Sequence, residues 1–301
     1  MHSLLTLEAM SDAVELPSGP TPLLEVRGLT VDFNVGRQLP PLRAVDDVTI
    51  EIGPRETVGL VGESGSGKTT IGRAILGLAP IKAGTVTFDG ADITRATYRT
   101  RRRLSASLQV VFQDPYSSLN PTRTIGQTLS ETLRVHEDIS NDAVEQRIST
   151  TLERVGLPAD AAKRYPSRFS GGQRQRIAIA RALMVQPRLV ICDEPVSALD
   201  LSVQAQVLNL LGELQDDFEL SYLFISHDLA VVKHVSHRIV VLYRGQIVEE
   251  GPADRVYEHP EHPYTQRLLA AAPLPDPELQ RERRLVRAQE QQLRQQELAT
   301  E

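Results

Sequence analysis

The chain has 301 residues but a single cysteine, Cys192. One thiol can build neither an internal disulfide framework nor a cysteine-based metal cluster, which suits a reducing cytoplasm. Long apolar runs are missing as well. No stretch approaches the roughly 20 apolar residues that a membrane-spanning helix needs. Nor is there an excess of positive charge: 33 Lys and Arg against 39 Asp and Glu leave a net charge of −6. Proteins that neutralise a phosphate backbone are ordinarily basic, so nucleic acid is disfavoured as the main partner. Anionic lipid headgroups are disfavoured for the same reason. The N-terminal stretch MHSLLTLEAMSDAVELPSGPTP has no basic n-region and acidic residues interrupt its apolar part, so it is not expected to be a signal peptide. Residues 1–22 are expected to be a disordered leader, with Met1 or Met10 as the start.

What is present is ordinary globular material, 41% hydrophobic and 24% charged. That is enough for one large domain, or one domain plus an appendage. Apolar segments bounded by turn signals predict strands over 24–31, 44–52, 57–61, 85–88, 109–113, 189–192, 222–226, 239–243 and 246–250. Helical spacing predicts helices over 69–78, 171–185, 203–216 and 229–234, and a mainly helical insert from 114 to 167 with helices at 124–135 and 141–155. Short parallel strands alternating with helices imply an α/β core. Residues 99–103 carry four arginines and read as a solvated helix face. After Gly251 the character changes: prolines punctuate a short extension, and a Gln/Arg/Glu-rich tail over 278–301 reads as a solvated helix or as disordered.

The sequence Gly62-Glu63-Ser64-Gly65-Ser66-Gly67-Lys68-Thr69 fits the phosphate-loop pattern GxxxxGK[ST], with an apolar strand before it and a helix after it. Glycines let backbone N–H groups converge on phosphate oxygens, and the helix start aims its dipole and free N–H groups at the same anion. Lys68 would reach the β- and γ-phosphates, and the Thr69 hydroxyl would bind Mg2+. Leu189-Val190-Ile191-Cys192 is an apolar strand ending in two acids, Asp193 and Glu194. Asp193 is expected to hold the Mg2+, and Glu194 to act as general base on the attacking water. Cys192 reads as a small buried hydrophobe rather than a reactive thiol. Further on, Ser170-Gly171-Gly172-Gln173 makes a second anion-binding helix start. Such a turn, so far downstream, is suited to closing on a nucleotide held by a neighbouring chain.

In this order the motifs resemble the nucleotide-binding subunit of an ABC transporter. The resemblance covers residues 24 to 251 and rests on 62–69, Gln113, Ser170–Gln173, Asp193-Glu194, Ser197-Ala198-Leu199-Asp200 and His227. It implies a P-loop NTPase (RecA-like) α/β core with an antiparallel β subdomain, together a nucleotide-binding domain over 23–251. A helical subdomain over about 114–185 is inserted into it, and a short extension over 252–277 follows. ATP and Mg2+ are the implied cofactors. By resemblance, Gln113 senses the γ-phosphate and Mg2+, Thr70 joins the phosphate contacts, and His227 contacts the γ-phosphate. Ser170, Gly171, Gly172 and Gln173 contact ATP held by the opposite subunit, and Asp200 lies at the dimer seam. Phe33 occupies the place of the family's adenine-stacking aromatic; ordinary strand core is the alternative.

Phe169 stands where the family usually has leucine. It joins QDPYSSLNP at 113–121 and His259-Pro260-Glu261-His262-Pro263-Tyr264-Thr265 in resembling the oligopeptide/dipeptide permease group. The implied protein is a transport ATPase at the cytoplasmic face of the cell membrane. It would work with a sister ATPase in a heterodimer, two permease subunits and, indirectly, a substrate-binding protein. Di- and oligopeptides are the implied cargo, with glutathione, nickel or a non-transport ATPase as alternatives. The iron–sulfur motif of some relatives is excluded by the missing cysteines. His259 and His262 are expected in a structural hook, and His234 and His237 as surface helix histidines.

Overall fold

A computed structural model of the chain describes residues 21–34, 36, 40–114 and 118–271. Two sheets organise it. The first is antiparallel, in the order β2-β1-β4-β5, from β1 (Leu24–Phe33), β2 (Leu42–Ile52), β4 (Ala83–Phe88) and β5 (Ala91–Asp92). The second has the order β10-β9-β3-β8-β7-β6. Its strands are β3 (Thr57–Val61), β6 (Leu108–Val111), β7 (Leu189–Asp193), β8 (Ser221–Ser226), β9 (Arg238–Tyr243) and β10 (Gln246–Pro252). Strands β9, β3, β8, β7 and β6 run parallel, and β10 returns antiparallel to β9.

The apolar runs TVGLV and SYLFIS are buried at every position in β3 and β8, as strands covered on both faces must be. Their side chains divide by the two-residue period of a strand. Leu223 and Ile225 join a core shared with the antiparallel sheet and helix α1 (Lys68–Ile75). Tyr222 and Phe224 join the other core, beneath the helices. That second core takes the insert helices α3 (Ile125–His136), α4 (Asn141–Arg154) and α5 (Gly171–Leu183), then α6 (Leu201–Phe218) and α7 (Leu229–Val235). Buried residues recur on one face of α3 at Ile125, Leu129 and Leu133, and on one face of α4 at Val144, Ile148 and Leu152. Both helices start on hydroxyl caps, Thr124 and Ser140. No helix among the described residues is long and apolar enough to cross a membrane.

Several expectations are corrected. Helix α1 stops at Ile75, short of the expected Leu78, because the chain turns at Gly77 with φ 75°. The strand expected over 109–113 ends at Val111, leaving Gln113 in a loop. His237 lies past the end of α7, and its Nδ1 accepts the Thr57 N–H, so it is not a helix histidine. The extension folds into helices α8 (Ala253–Glu258) and α9 (Pro263–Ala271). Of the leader, residues 1–20 lie outside the described residues, as do residues 115–117 and everything after 271, including the tail.

The arginine run forms α2 (Tyr98–Leu104), and Arg99, Arg102 and Arg103 are exposed as expected. Arg101 is not: its guanidinium donates to the Ile75 carbonyl at 2.6 Å and to the Ile93 carbonyl. It thereby closes the end of α1. Replacing it by alanine should cost about 2–3 kcal/mol, the scale of hydrogen bonds from a charged donor. Thermal unfolding should show a Tm lower by roughly 4–12 °C, whereas Arg99→Ala should leave Tm unchanged.

Candidate active site

Four parallel strands deliver the candidate residues to one edge. The glycine loop follows β3, His227 follows β8, Asp193 and Glu194 end β7, and Gln113 follows β6. In the sheet these strands stand in the order β3-β8-β7-β6. Residues far apart in sequence are thus set side by side at the carboxyl ends of the strands, where α/β sheets bind ligands.

The loop's shape depends on glycine at particular points. Gly67 has φ 109°, and a Cβ there would stand 2.4 Å from the Ala44 carbonyl oxygen. At Gly62 a Cβ would stand 2.2 Å from the Leu242 carbonyl oxygen. The loop is therefore seated directly on the backbones of β2 and β9. Gly67 also caps α1 without a side-chain hydrogen bond, so the first-turn N–H groups stay available for an anion. Lys68 is only 4% exposed, and its ammonium donates to the Gly62 and Glu63 carbonyls at 2.7 and 2.8 Å. Burial pulls its pKa down, against the nearby carboxylates of Glu194, Asp193 and Glu63.

A cleft of about 230 Å³ opens here. Ser64, Gly65, Gly67, Lys68, Thr69 and Thr70 line one side, and Gln113 and Glu194 face them. The Thr69 hydroxyl donates to Asp193 Oδ1 at 2.9 Å. Burial pushes the Asp193 carboxyl up, and the Thr69 hydrogen bond opposes it. Glu194 sits at φ 50°, a left-handed conformation rare for a side-chain-bearing residue. Its N–H donates to the Ile225 carbonyl at 2.9 Å, and its own carbonyl accepts the Ser197 hydroxyl at 3.1 Å. The Glu194 carboxylate is gripped on one oxygen: Gln113 Nε2 approaches Oε2 at 3.1 Å and His227 Nδ1 approaches it at 3.3 Å.

The candidates Phe33 and Ser66 do not line this cleft, and neither does Cys192. Phe33 is half-buried at the end of β1, opposite Leu42, and packs on the core beneath. Ser66 is buried with its hydroxyl lacking a hydrogen-bond partner, turned toward Gly62. The Cys192 thiol is fully buried, and burial pushes its pKa up, which keeps it an inert hydrophobe. Ala44, which also lines the cleft, escaped the sequence reading because it contributes from a strand outside every motif.

Ser170, Gly171, Gly172 and Gln173 do not line the cleft either. They begin α5 as a capping box: the Ser170 hydroxyl accepts the Gln173 N–H, and the Gln173 side chain accepts the Ser170 N–H at 3.0 Å. A Cβ at Gly172 would stand 2.3 Å from Val203 Cγ1, so glycine lets α5 close on the start of α6. That start is capped by Asp200, which accepts the Val203 N–H at 3.0 Å. The hydrogen bond from Val203 holds the Asp200 carboxyl below its ordinary value. Ser170, Gln173 and Asp200 are all exposed. The residues expected to serve a neighbouring chain thus share one surface region.

The donor set fits a magnesium-bound nucleoside triphosphate. Glycine N–H groups, a buried cation and an uncapped helix start face the cleft, and a hydroxyl and a carboxylate supply the hard oxygens that Mg2+ prefers.

A family model described as "ABC transporter" matches residues 45–197, and one described as "Oligopeptide/dipeptide transporter, C-terminal region" matches residues 248–299. The oligopeptide transport ATP-binding protein OppF of Salmonella typhimurium is 49% identical over 271 residues, 87% of this chain and 81% of that one. The glutathione import ATP-binding protein GsiA of Escherichia coli is 48% identical over 270 residues, 88% of this chain. The chain spans only 43% of the length of GsiA. Among solved structures, CbiO1 of Clostridium perfringens, described as part of an ABC transporter complex, superposes with TM-score 0.71 at 25% identity, covering 79% of this chain and 91% of that one. The ATP-binding cassette MJ0796, solved as a post-hydrolysis dimer with ADP and Pi, gives 0.69 at 26% identity over 76% and 98%. By its family-model match, its relatives and its fold, the chain belongs to the ABC transporter family.

Proposed function

We propose that the chain is the ATP-hydrolysing motor subunit of an ABC importer, driving uptake of di- or oligopeptides from the cytoplasmic face of the membrane. The convergence of Lys68, the Thr69–Asp193 pair and Glu194, with Gln113 and His227 at its Oε2, carries this reading. Lys68 and the loop N–H groups, with Thr70, bind the phosphates; Thr69, Asp193 and Gln113 hold Mg2+. Mg2+ held there would supply Lewis-acid neutralisation of the charge that develops on the phosphates. Glu194 accepts a proton from the attacking water through Oε1, while Gln113 and His227 fix the carboxylate through Oε2. His227 would also contact the γ-phosphate, and Phe33 would offer the adenine a ring.

The region of exposed Ser170, Gln173 and Asp200, with Gly171 and Gly172, would close on ATP held by a sister subunit, and this chain's own nucleotide would be closed by that sister. Two permease subunits and a substrate-binding protein complete the assembly. The match of the extension to the oligopeptide/dipeptide transporter region supports a peptide cargo. Glutathione, itself a peptide, is the second reading, supported by the identity to GsiA.

Ser170→Arg tests the two-sided arrangement. The variant should bind a fluorescent ATP analogue as the unmodified chain does, because Ser170 is outside the cleft. It should fail to pair with the sister subunit in ATP-dependent sedimentation and should stop transport in vesicles. Normal transport would sink the shared-nucleotide reading.

A further inference from the structure

We infer that helix α9 of the C-terminal extension tethers the phosphate loop, and that Tyr264 is a positioning residue for nucleotide binding. The inference rests on the reading of residues 62–69 as the ATP site.

Tyr264 is 2% exposed, and its ring lies against Tyr243 with centroids 4.3 Å apart. Its hydroxyl oxygen accepts the backbone N–H of Glu63 at 2.9 Å, across 201 residues of sequence. The carbonyl of that same Glu63 accepts from the Lys68 ammonium at 2.8 Å and from the Ser66 N–H at 3.2 Å. One residue of the loop thus joins the extension to the phosphate-binding lysine.

The other end of the tether is anchored with equal care. Glu249 on β10 is buried at 8% exposure, and its two oxygens accept the N–H groups of Glu261 and His262 at 2.9 and 3.0 Å. His262 Nδ1 then accepts the Tyr264 N–H at 3.1 Å, and Pro263 opens the helix between them. The acid fixes where α9 begins, and the start of α9 fixes where the Tyr264 hydroxyl lies. A loop held in its binding shape loses less freedom when the ligand arrives. Docking of α9 and nucleotide binding should therefore favour each other reciprocally.

The test compares the full chain with Tyr264→Phe, Glu249→Gln, the double variant and Lys68→Ala, using a fluorescent ATP analogue and steady-state hydrolysis with the sister subunit. Tyr264→Phe keeps the ring and removes only the hydroxyl. It should weaken analogue binding about fivefold and raise KM similarly, with kcat and the nucleotide-free Tm little changed. Glu249→Gln should weaken binding in the same direction, and the double variant should be no weaker than Tyr264→Phe alone, since both cut one connection. Hydrogen exchange over Pro263–Ala271 in the unmodified chain should slow when the analogue binds. Unchanged binding in Tyr264→Phe, with Lys68→Ala binding abolished, would overturn the tether while leaving the ATP site standing. Additive losses in the double variant, or exchange in α9 indifferent to the analogue, would overturn it too. Normal binding in Lys68→Ala would remove the ATP-site reading and the tether with it.

Discussion

Glu194→Gln should reduce steady-state ATP hydrolysis by at least a hundredfold while leaving ATP binding nearly intact. The substitution keeps the size of the side chain and an oxygen that can still accept from Gln113 and His227, so the cleft should hold its shape. What disappears is basicity. A positioned general base ordinarily contributes about 10²- to 10⁴-fold, and the hydrogen bond from Gln113, with His227 Nδ1 beside the same oxygen, restrains this carboxylate. Its left-handed backbone at φ 50° points the same way, because such conformations persist only where the surroundings enforce them. Here the enforcing contacts are the Ile225 carbonyl and Ser197. ATP that binds without being hydrolysed should hold the variant paired with its sister subunit. Single-turnover and steady-state rates measured together check this, and normal turnover would remove Glu194 from the role of base.

Lys68→Ala should abolish nucleotide binding at micromolar analogue concentrations. Hydrogen bonds from a charged donor are worth about 1.5–3 kcal/mol each, and loss of two to phosphate oxygens weakens binding by roughly a hundredfold or more. The ammonium is buried, and in this structure it spends its donors on the Gly62 and Glu63 carbonyls. In the proposed role it would exchange those partners for phosphate oxygens when nucleotide enters. The variant also removes a cation beside the Asp193 and Glu194 carboxylates, which compounds the loss for an anionic ligand. Titration with a fluorescent ATP analogue reads this directly; a Kd within about threefold of the unmodified chain would contradict the role of Lys68.

The contiguous motifs were legible because their chemistry is local. Gly62 to Thr69 needs only neighbouring residues to form a loop and start a helix, and the apolar run before Asp193 and Glu194 announces a buried strand. The α/β core followed from the same local periodicities. Element ends were less legible. Helix α1 stops at Ile75 where Arg101, from a different helix, takes up its last carbonyl. The arginine run looked uniformly solvated because sequence reports charge, not which of four neighbours faces inward.

By itself, then, the amino-acid sequence determined the phosphate loop, the acid pair, the second glycine turn and the absence of disulfides, since each depends on residue type and short spacing. Only the tertiary structure decided that Gln113 and His227 meet at the same oxygen of Glu194, that Ser170 stands with Asp200 instead of in its own cleft, and that Tyr264 reaches Glu63. Those contacts join residues tens to hundreds of positions apart. They are set by the order of parallel strands and by the packing of helices on them, and neither is written in any local stretch of the chain.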